Sequence, residues 1–171
     1  KKFYTLMLTA LCVDTNNFNL KTSPRTFEIA SYILQNGADL NLKQEFLKEN
    51  KRDVLNRYFY IKNAVKLESG VYICIIDDKI CTKEEVALLA DEMLKFEDVN
   101  LSLAVGKKSD NEVVVSARSI GNIDVSMMMK KLGGGGHFRA AAALIKSSNI
   151  DDVIEDLKLI VRGENSANNI A

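Results

Sequence analysis

Four consecutive glycines, Gly133–Gly136, are followed directly by His137, the only histidine of the chain. Glycine has no side chain to keep a ligand away from the backbone, and it reaches positive φ without strain. Consecutive N–H groups in such a turn can form an anion-binding concavity, which a helix beginning just after the turn would strengthen. We therefore interpret the segment as a phosphate-binding turn whose histidine contacts the substrate.

Two purely structural explanations of the glycine run remain open. The run could be a flexible linker, although linkers mix glycine with serine and other polar residues, whereas this run lies between two apolar segments. The glycines could also allow a helix and a strand to pack closely. In either case His137 would have no substrate role.

Arg118 stands at the end of a predicted strand, 113–117, and one short helix separates it from the glycine run. Such a connection can bring both to the same edge of a sheet, where α/β domains bind ligands. The guanidinium would then supply a bidentate fork to a phosphate. A surface salt bridge is the alternative role for Arg118.

Asp14 ends an almost continuously apolar segment, Phe3–Val13. A buried helix or strand would deliver this carboxylate to its C-terminal end. Two roles remain open for Asp14, that of a ligand and that of a cap or turn former.

Composition indicates an ordinary soluble globular chain of one medium or two small domains, with 171 residues, 47% hydrophobic and 27% charged. The net charge of zero argues against binding long nucleic acid. A local basic site remains open, because cations gather in the second half: Lys107, Lys108, Arg118, Lys130, Lys131 and Arg139.

The three cysteines, Cys12, Cys74 and Cys81, lack metal-ligand spacing, and one histidine cannot complete a zinc site with them. Cys12 and Cys74 lie in apolar runs, so we expect buried free thiols and a reducing compartment. The printed sequence contains no signal peptide or membrane span, and it lacks an initiator methionine. We therefore expect it to be part of a longer protein.

The predicted elements form an α/β architecture. Ser23 and Pro24 should begin a helix that Gly37 closes, and a charged helical connector should follow at 42–65. From about Glu68 the pattern predicts β-α-β-β-α-β-α with a mixed sheet.

Thr82 and Glu85 should form a capping box at the start of one helix of this domain, and Asp124 should open a short helix. The segment 140–146 should be a short helical turn that passes into the last strand. The residues after Gly163 are polar and should be frayed.

The Gly133–His137 segment, preceded by Ser116-Ala117-Arg118-Ser119 and followed by three alanines at 140–142, resembles the DHHA1 domain of the DHH phosphoesterase superfamily. The stretches 12–18 and 25–32 resemble the last motif of the preceding DHH domain, most closely in cyclic-di-AMP phosphodiesterases of the GdpP type. The resemblance implies a C-terminal remnant of a DHH domain at 1–42, a helical connector at 43–67, a DHHA1 substrate-binding domain at 68–163 and a frayed tail at 164–171.

The resemblance also implies roles for individual residues. Two manganese ions in the DHH domain would activate water for attack on a phosphodiester, with Asp14 as one metal ligand. The DHHA1 domain would contact phosphate and nucleotide through Arg118, Ser119, Gly133, Gly134, Gly135, Gly136 and His137. The family's other aspartate and histidine metal motifs do not occur in this sequence. We therefore expect this chain by itself to bind nucleotide phosphate but to hydrolyse little or nothing.

The implied activity is hydrolysis of cyclic-di-AMP to linear pApA. The implied partners are a cyclic dinucleotide or short oligonucleotide and the remainder of the DHH domain, with a homodimer left open and no long nucleic acid. The alternatives are an oligoribonuclease or phosphoadenosine-phosphate phosphatase of the same superfamily, or a non-catalytic nucleic-acid-binding DHHA1 module. GdpP-type relatives carry N-terminal membrane helices, so we expect a cytoplasmic location, as the cytosolic part of a membrane-anchored parent.

Overall fold

The computed structural model describes residues 1–19 and 21–168, the last of these (164–168) by their backbone alone. The chain forms two compact units that divide between Val54 and Leu55. This boundary falls inside the segment predicted as a connector. The connector is not one continuous helix, because a helix over Leu40–Phe46 is separated from the next, over Lys51–Lys62, by the residues 47–50.

The first unit contains helices α1 (Lys2–Asp14), α2 (Pro24–Gln35) and α3 (Leu40–Phe46), and α4 (Lys51–Lys62) begins in it. Its small core comprises Leu8, Cys12, Ala30 and Ile33. The segment 3–13 was expected to be buried, but only one stripe of the helix is, and Phe3 is 68% exposed. The predicted boundaries of α2 are confirmed, with Ser23 as N-cap and Gly37 at φ +90° after the C-cap.

The second unit is a six-stranded mixed sheet with helices on both faces, as predicted for the α/β class. The strand order is β1-β2-β3-β4-β6-β5, and only β2 and β3 are parallel, joined through a crossover helix. The elements are β1 (Val65–Glu68), β2 (Val71–Ile76), α5 (Lys83–Met93), β3 (Leu101–Ser109), β4 (Glu112–Ser119), α6 (Val125–Lys131), β5 (Gly135–His137), β6 (Ala140–Lys146) and α7 (Ile150–Asn168).

Three differences from the predicted elements are corrections. The edge strands β1 and β5 were not predicted, and Ala140 begins a strand rather than a helical turn.

Helix α7 continues to Asn168, while 169–171 lie outside the described residues. Fraying of the tail 164–171 stays a prediction. In the described part of the chain, none of the helices is both long and apolar enough to cross a membrane.

Alternating strand residues separate two cores on opposite faces of the sheet. Val113, Val115 and Ala117 of β4 pack with α6 and α7, on what we call the α6–α7 face. Val114 packs beneath α5. Ser116 and Arg118 alternate in phase with Val114, so they lie on the same side, which we call the α5 face.

The predicted buried thiols are confirmed. Cys12, Cys74 and Cys81 are all buried and free. Burial raises the pKa of Cys74 to about 12 and that of Cys81 to about 11. Since the thiolate is the reactive form, these two residues are structural rather than nucleophilic.

Candidate functional site

The sheet register brings Arg118 and His137 into one row. Arg118 pairs with Ala140 across β4 and β6, and His137 pairs with the same Ala140 across β5 and β6. Directly paired residues of antiparallel strands lie on the same face. Arg118 and His137 therefore stand on the α5 face on either side of Ala140, with two strand spacings, or about 10 Å, between their backbones.

The neighbouring row supplies a floor of small residues. Ser116 pairs with Ala142, and Ala142 pairs with Gly135. Helix α5 packs over β3 and β4, and beside it runs a groove of about 300 Å³. Its lining residues come from α5, β4 and β6: Lys83, Glu84, Ala87, Val114, Ser116, Arg118, Ala142, Ala143 and Leu144. A ligand can therefore approach the backbone of β6 beside Arg118.

The first half of the glycine run ends helix α6. Gly133 has φ +76°, and its N–H donates to the carbonyl of Lys130 at 3.0 Å. The N–H of Gly134 donates to the carbonyl of Met129 at 2.8 Å. A helix ends before the glycines and strand β5 begins at Gly135, so the element after the turn is a strand and not a helix that would strengthen an anion site there. The N–H groups of Gly133 and Gly134 are therefore already used within the protein, and the next two glycines belong to the β5–β6 ladder.

The last three glycines of the run differ in how closely they pack against β6. A Cβ on Gly136 would lie 2.5 Å from the carbonyl oxygen of Ala140, and a Cβ on Gly134 would overlap the carbonyl oxygen of Ala142. The close-packing explanation thus applies to these two glycines. Gly135 differs, because a Cβ there would meet nothing within 4 Å. Close packing therefore does not explain the glycine at 135.

Arg118 is held by three hydrogen bonds. Its Nε donates to Oδ1 of Asp91 at 2.7 Å, and its Nη1 donates to Oγ of Ser116 at 2.8 Å and to the carbonyl of Ala117 at 3.0 Å. The side chain is only 17% exposed. Within the described residues, Nη2 has no hydrogen-bond partner. The salt bridge considered as an alternative exists, and a two-nitrogen fork to phosphate is not available while these bonds remain, so Nη2 is the atom left for an anion.

The structure does not bring Ser119 to the groove. Ser119 lies on the α6–α7 side of β4, is 4% exposed, and donates its Oγ to the carbonyl of Ile123 at 2.7 Å. Its role as a phosphate contact stays a prediction that this arrangement does not favour. His137 is exposed on the edge strand β5, where its ring is accessible from solvent.

Asp14 lies in the first compact unit, whereas Arg118 and His137 lie in the second. It is the last residue of α1, and its Oδ1 accepts a hydrogen bond from Nζ of Lys21 at 3.0 Å, with both side chains 69% exposed. The backbone that follows is left-handed at 16–18. Among the described residues, no group of three histidine, cysteine, aspartate or glutamate side chains could hold a metal ion. These residues alone do not fit a two-manganese centre.

Helix α5 contributes residues to the groove that were not predicted: Lys83, Glu84 and Ala87. Glu84, Ala87 and Asp91 recur at helical spacing, which places them on one stripe of the helix. This spacing was the only sequence signal for a shared face. The side of α5 that meets β4 depends on tertiary packing, so spacing alone could not show that Asp91 reaches Arg118.

Comparisons with known proteins identify relatives of both compact units. The chain is 34% identical over 90% of its length to the cyclic-di-AMP phosphodiesterase GdpP of Bacillus subtilis and covers 24% of it. It is 37% identical over 90% of its length to the cyclic-di-AMP phosphodiesterase PdeA of Listeria monocytogenes and covers 23% of it. The chain thus spans about a quarter of the length of these curated relatives.

Structure comparison supports the fold. A crystal structure of an exopolyphosphatase-related protein from Bacteroides fragilis superposes with a TM-score of 0.75 at 14% identity, over 90% of this chain and 47% of that one. The family model of the DHHA1 domain matches residues 68–163, which contain the sheet, the groove and the glycine run. The chain therefore belongs to the DHHA1 domain family.

Proposed function

We propose that this chain is the substrate-binding C-terminal part of a phosphodiesterase that hydrolyses cyclic-di-AMP to linear pApA. The observation that carries the proposal is the row in which Arg118 and His137 flank Ala140. This row combines the cation of Arg118 and the exposed imidazole of His137 with the small side chain of Ala140 between them. The activity named for the GdpP and PdeA relatives supports cyclic-di-AMP as the substrate.

Four residues of the two paired rows have roles in this proposal. Nη2 of Arg118 donates to a phosphate oxygen, a charge-assisted hydrogen bond of the stronger kind. His137 contacts the nucleotide from the other side of Ala140. Gly135 and Ala142 let the ligand lie against the sheet. Holding the diester between fixed groups orients it for attack, which is the contribution of a substrate-binding domain to the rate.

The metal part of the proposal involves Asp14. A carboxylate suits manganese, and we propose Asp14 as one ligand, with the others supplied by residues outside the printed chain. Since the described residues contain no group of three suitable ligands, we assign them no hydrolytic step. This chain alone should bind nucleotide and release no product when Mn²⁺ is added. Formation of pApA by the chain alone would contradict this.

The test is calorimetric titration of the chain, without metal, with cyclic-di-AMP, linear diadenylate and a short RNA, each at low and moderate salt. We expect the adenine dinucleotides to bind with little salt dependence. Tighter binding of RNA, falling steeply as salt rises, would instead indicate a nucleic-acid-binding module. Failure of all three ligands to bind would contradict the groove as a nucleotide site.

A further inference from the structure

We propose that Asp91 determines specificity in the groove, because its charge makes the groove favour a phosphodiester over a terminal phosphomonoester. The inference rests on the proposed function, since it concerns the phosphate that Arg118 would bind.

The contact between Asp91 and Arg118 is close and partly shielded from water. Oδ1 of Asp91 accepts from Nε of Arg118 at 2.7 Å, and the two side chains are 41% and 17% exposed. A phosphate bound at Nη2 would share this guanidinium with the Asp91 carboxylate, so the two anions would be close neighbours. Opposite charges on Asp91 and Arg118 already offset each other there, so a bound anion meets a reduced positive field.

A second carboxylate reinforces the effect. Glu84 and Ala87 line the groove, and Asp91 follows Ala87 by four residues on the same face of α5. The cations beside them are Lys83 and Arg118. The formal charges of these four ionised side chains cancel, so the groove offers hydrogen-bond donors without a large net positive charge.

The two kinds of phosphate differ in charge. A phosphodiester carries one negative charge, whereas a phosphomonoester carries about −1.5 to −2 at pH 7 because its second pKa is about 6. The additional negative charge of a phosphomonoester is attracted only weakly by Arg118, because this arginine is already paired with Asp91. The Asp91 carboxylate also repels that charge. The groove should therefore hold the internal diester of a dinucleotide more readily than an end that carries a terminal phosphate.

The test uses two ligands that differ in this charge and in one methyl group, adenosine 5′-monophosphate and the methyl ester of its phosphate, titrated into the chain at pH 8. In Asp91→Asn the side-chain oxygen can still accept the hydrogen bond from Nε of Arg118, so only the charge changes. We expect the affinity for the monophosphate, relative to the methyl ester, to rise by about threefold or more in this variant. Asp156→Asn, an equal charge change on α7 across the sheet, should leave the ratio as in the wild type.

The outcomes separate this inference from the proposed function. If the wild type binds the ligands and Asp91→Asn leaves their affinity ratio unchanged, Asp91 does not select by charge and the inference is wrong. An equal loss of affinity for both ligands would also overturn it, because Asp91 would then only position Arg118. If neither ligand binds the wild type, Arg118 does not hold a nucleotide phosphate as this inference requires and the inference is wrong, whereas the proposed function fails only if cyclic-di-AMP does not bind either.

Discussion

Arg118 and His137 are both cross-strand partners of Ala140, so a cation and an imidazole from distant parts of the sequence flank one methyl group on a single face of the sheet. The relationship depends on β6 lying between β4 and β5. A shift of β5 by one residue would move His137 to the opposite face. Gly134 and Gly136, which allow β5 to approach β6, therefore also help to determine the face of the sheet on which His137 lies.

Gly135 and Gly134 should respond differently to the same substitution. Gly135→Ala places a methyl group in open space beside Ala142, so the free energy of unfolding should change by less than about 0.5 kcal/mol while nucleotide affinity falls. Gly134→Ala drives a Cβ into the β6 backbone and should destabilise the protein by about 1–3 kcal/mol or more. Chemical denaturation and calorimetric titration measure the two effects. Unchanged affinity in Gly135→Ala would show that the nucleotide does not lie against this residue.

Arg118→Ala should weaken binding of cyclic-di-AMP by about 1.5–3 kcal/mol, the usual contribution of a hydrogen bond to a charged group. Arg118→Lys keeps the charge but cannot reproduce the bonds to both Asp91 and Ser116, so it should restore only part of the affinity. Titration of both variants gives the comparison. Affinity equal to the wild type in Arg118→Ala would exclude Arg118 from the site.

Gly106 and Cys81 should be energetically coupled. A Cβ on Gly106 would lie 2.5 Å from Sγ of Cys81 and 3.2 Å from Cβ of Ile76. Gly106→Ala should therefore cost about 1–3 kcal/mol of stability through overpacking. The same substitution should cost less in a Cys81→Ala background, where the sulfur is gone. Additive effects in a double-mutant cycle would contradict the coupling.

Glu85 should contribute to the loss of unfolding free energy as the pH falls into the acid range. The hydrogen bond from Lys79, followed by that from the Thr82 N–H, holds the pKa of this carboxyl below its ordinary value. A pKa lower in the folded state means that the stabilisation is present above the unfolded value of about 4.3 and is lost as pH falls through the folded value. Glu85→Gln should flatten the dependence of unfolding free energy on pH in this range. Identical pH profiles for Glu85→Gln and the wild type would contradict this.

Local signals in the sequence predicted the helix starts correctly. The N-caps at Ser23, Thr82 and Asp124 are confirmed, because capping depends on hydrogen bonds within the first turn and needs no information from distant residues. The capping box of Thr82 and Glu85 forms as expected, with Oγ1 of Thr82 accepting from the Glu85 N–H at 3.1 Å.

The pairing of strands and the contacts between distant elements could not be predicted from local sequence signals. Strand β5 has three residues, Gly135–His137, and it is extended because it pairs with β6 rather than because its residues favour a strand. The Asp91–Arg118 contact likewise depends on how α5 lies over β4. Arg118 and His137 were therefore recognisable as candidates, while the row that unites them required the register.

The most direct test of the account is calorimetric titration of cyclic-di-AMP into the wild type and His137→Ala, without metal. His137 is exposed on an edge strand, so its replacement should leave the unfolding free energy within about 0.5 kcal/mol of the wild-type value. We predict measurable binding by the wild type and a loss of about tenfold in His137→Ala, the equivalent of one hydrogen bond. Equal affinity in a variant of unchanged stability would show that His137 does not contact the nucleotide and would contradict the Arg118–His137 row as the substrate site.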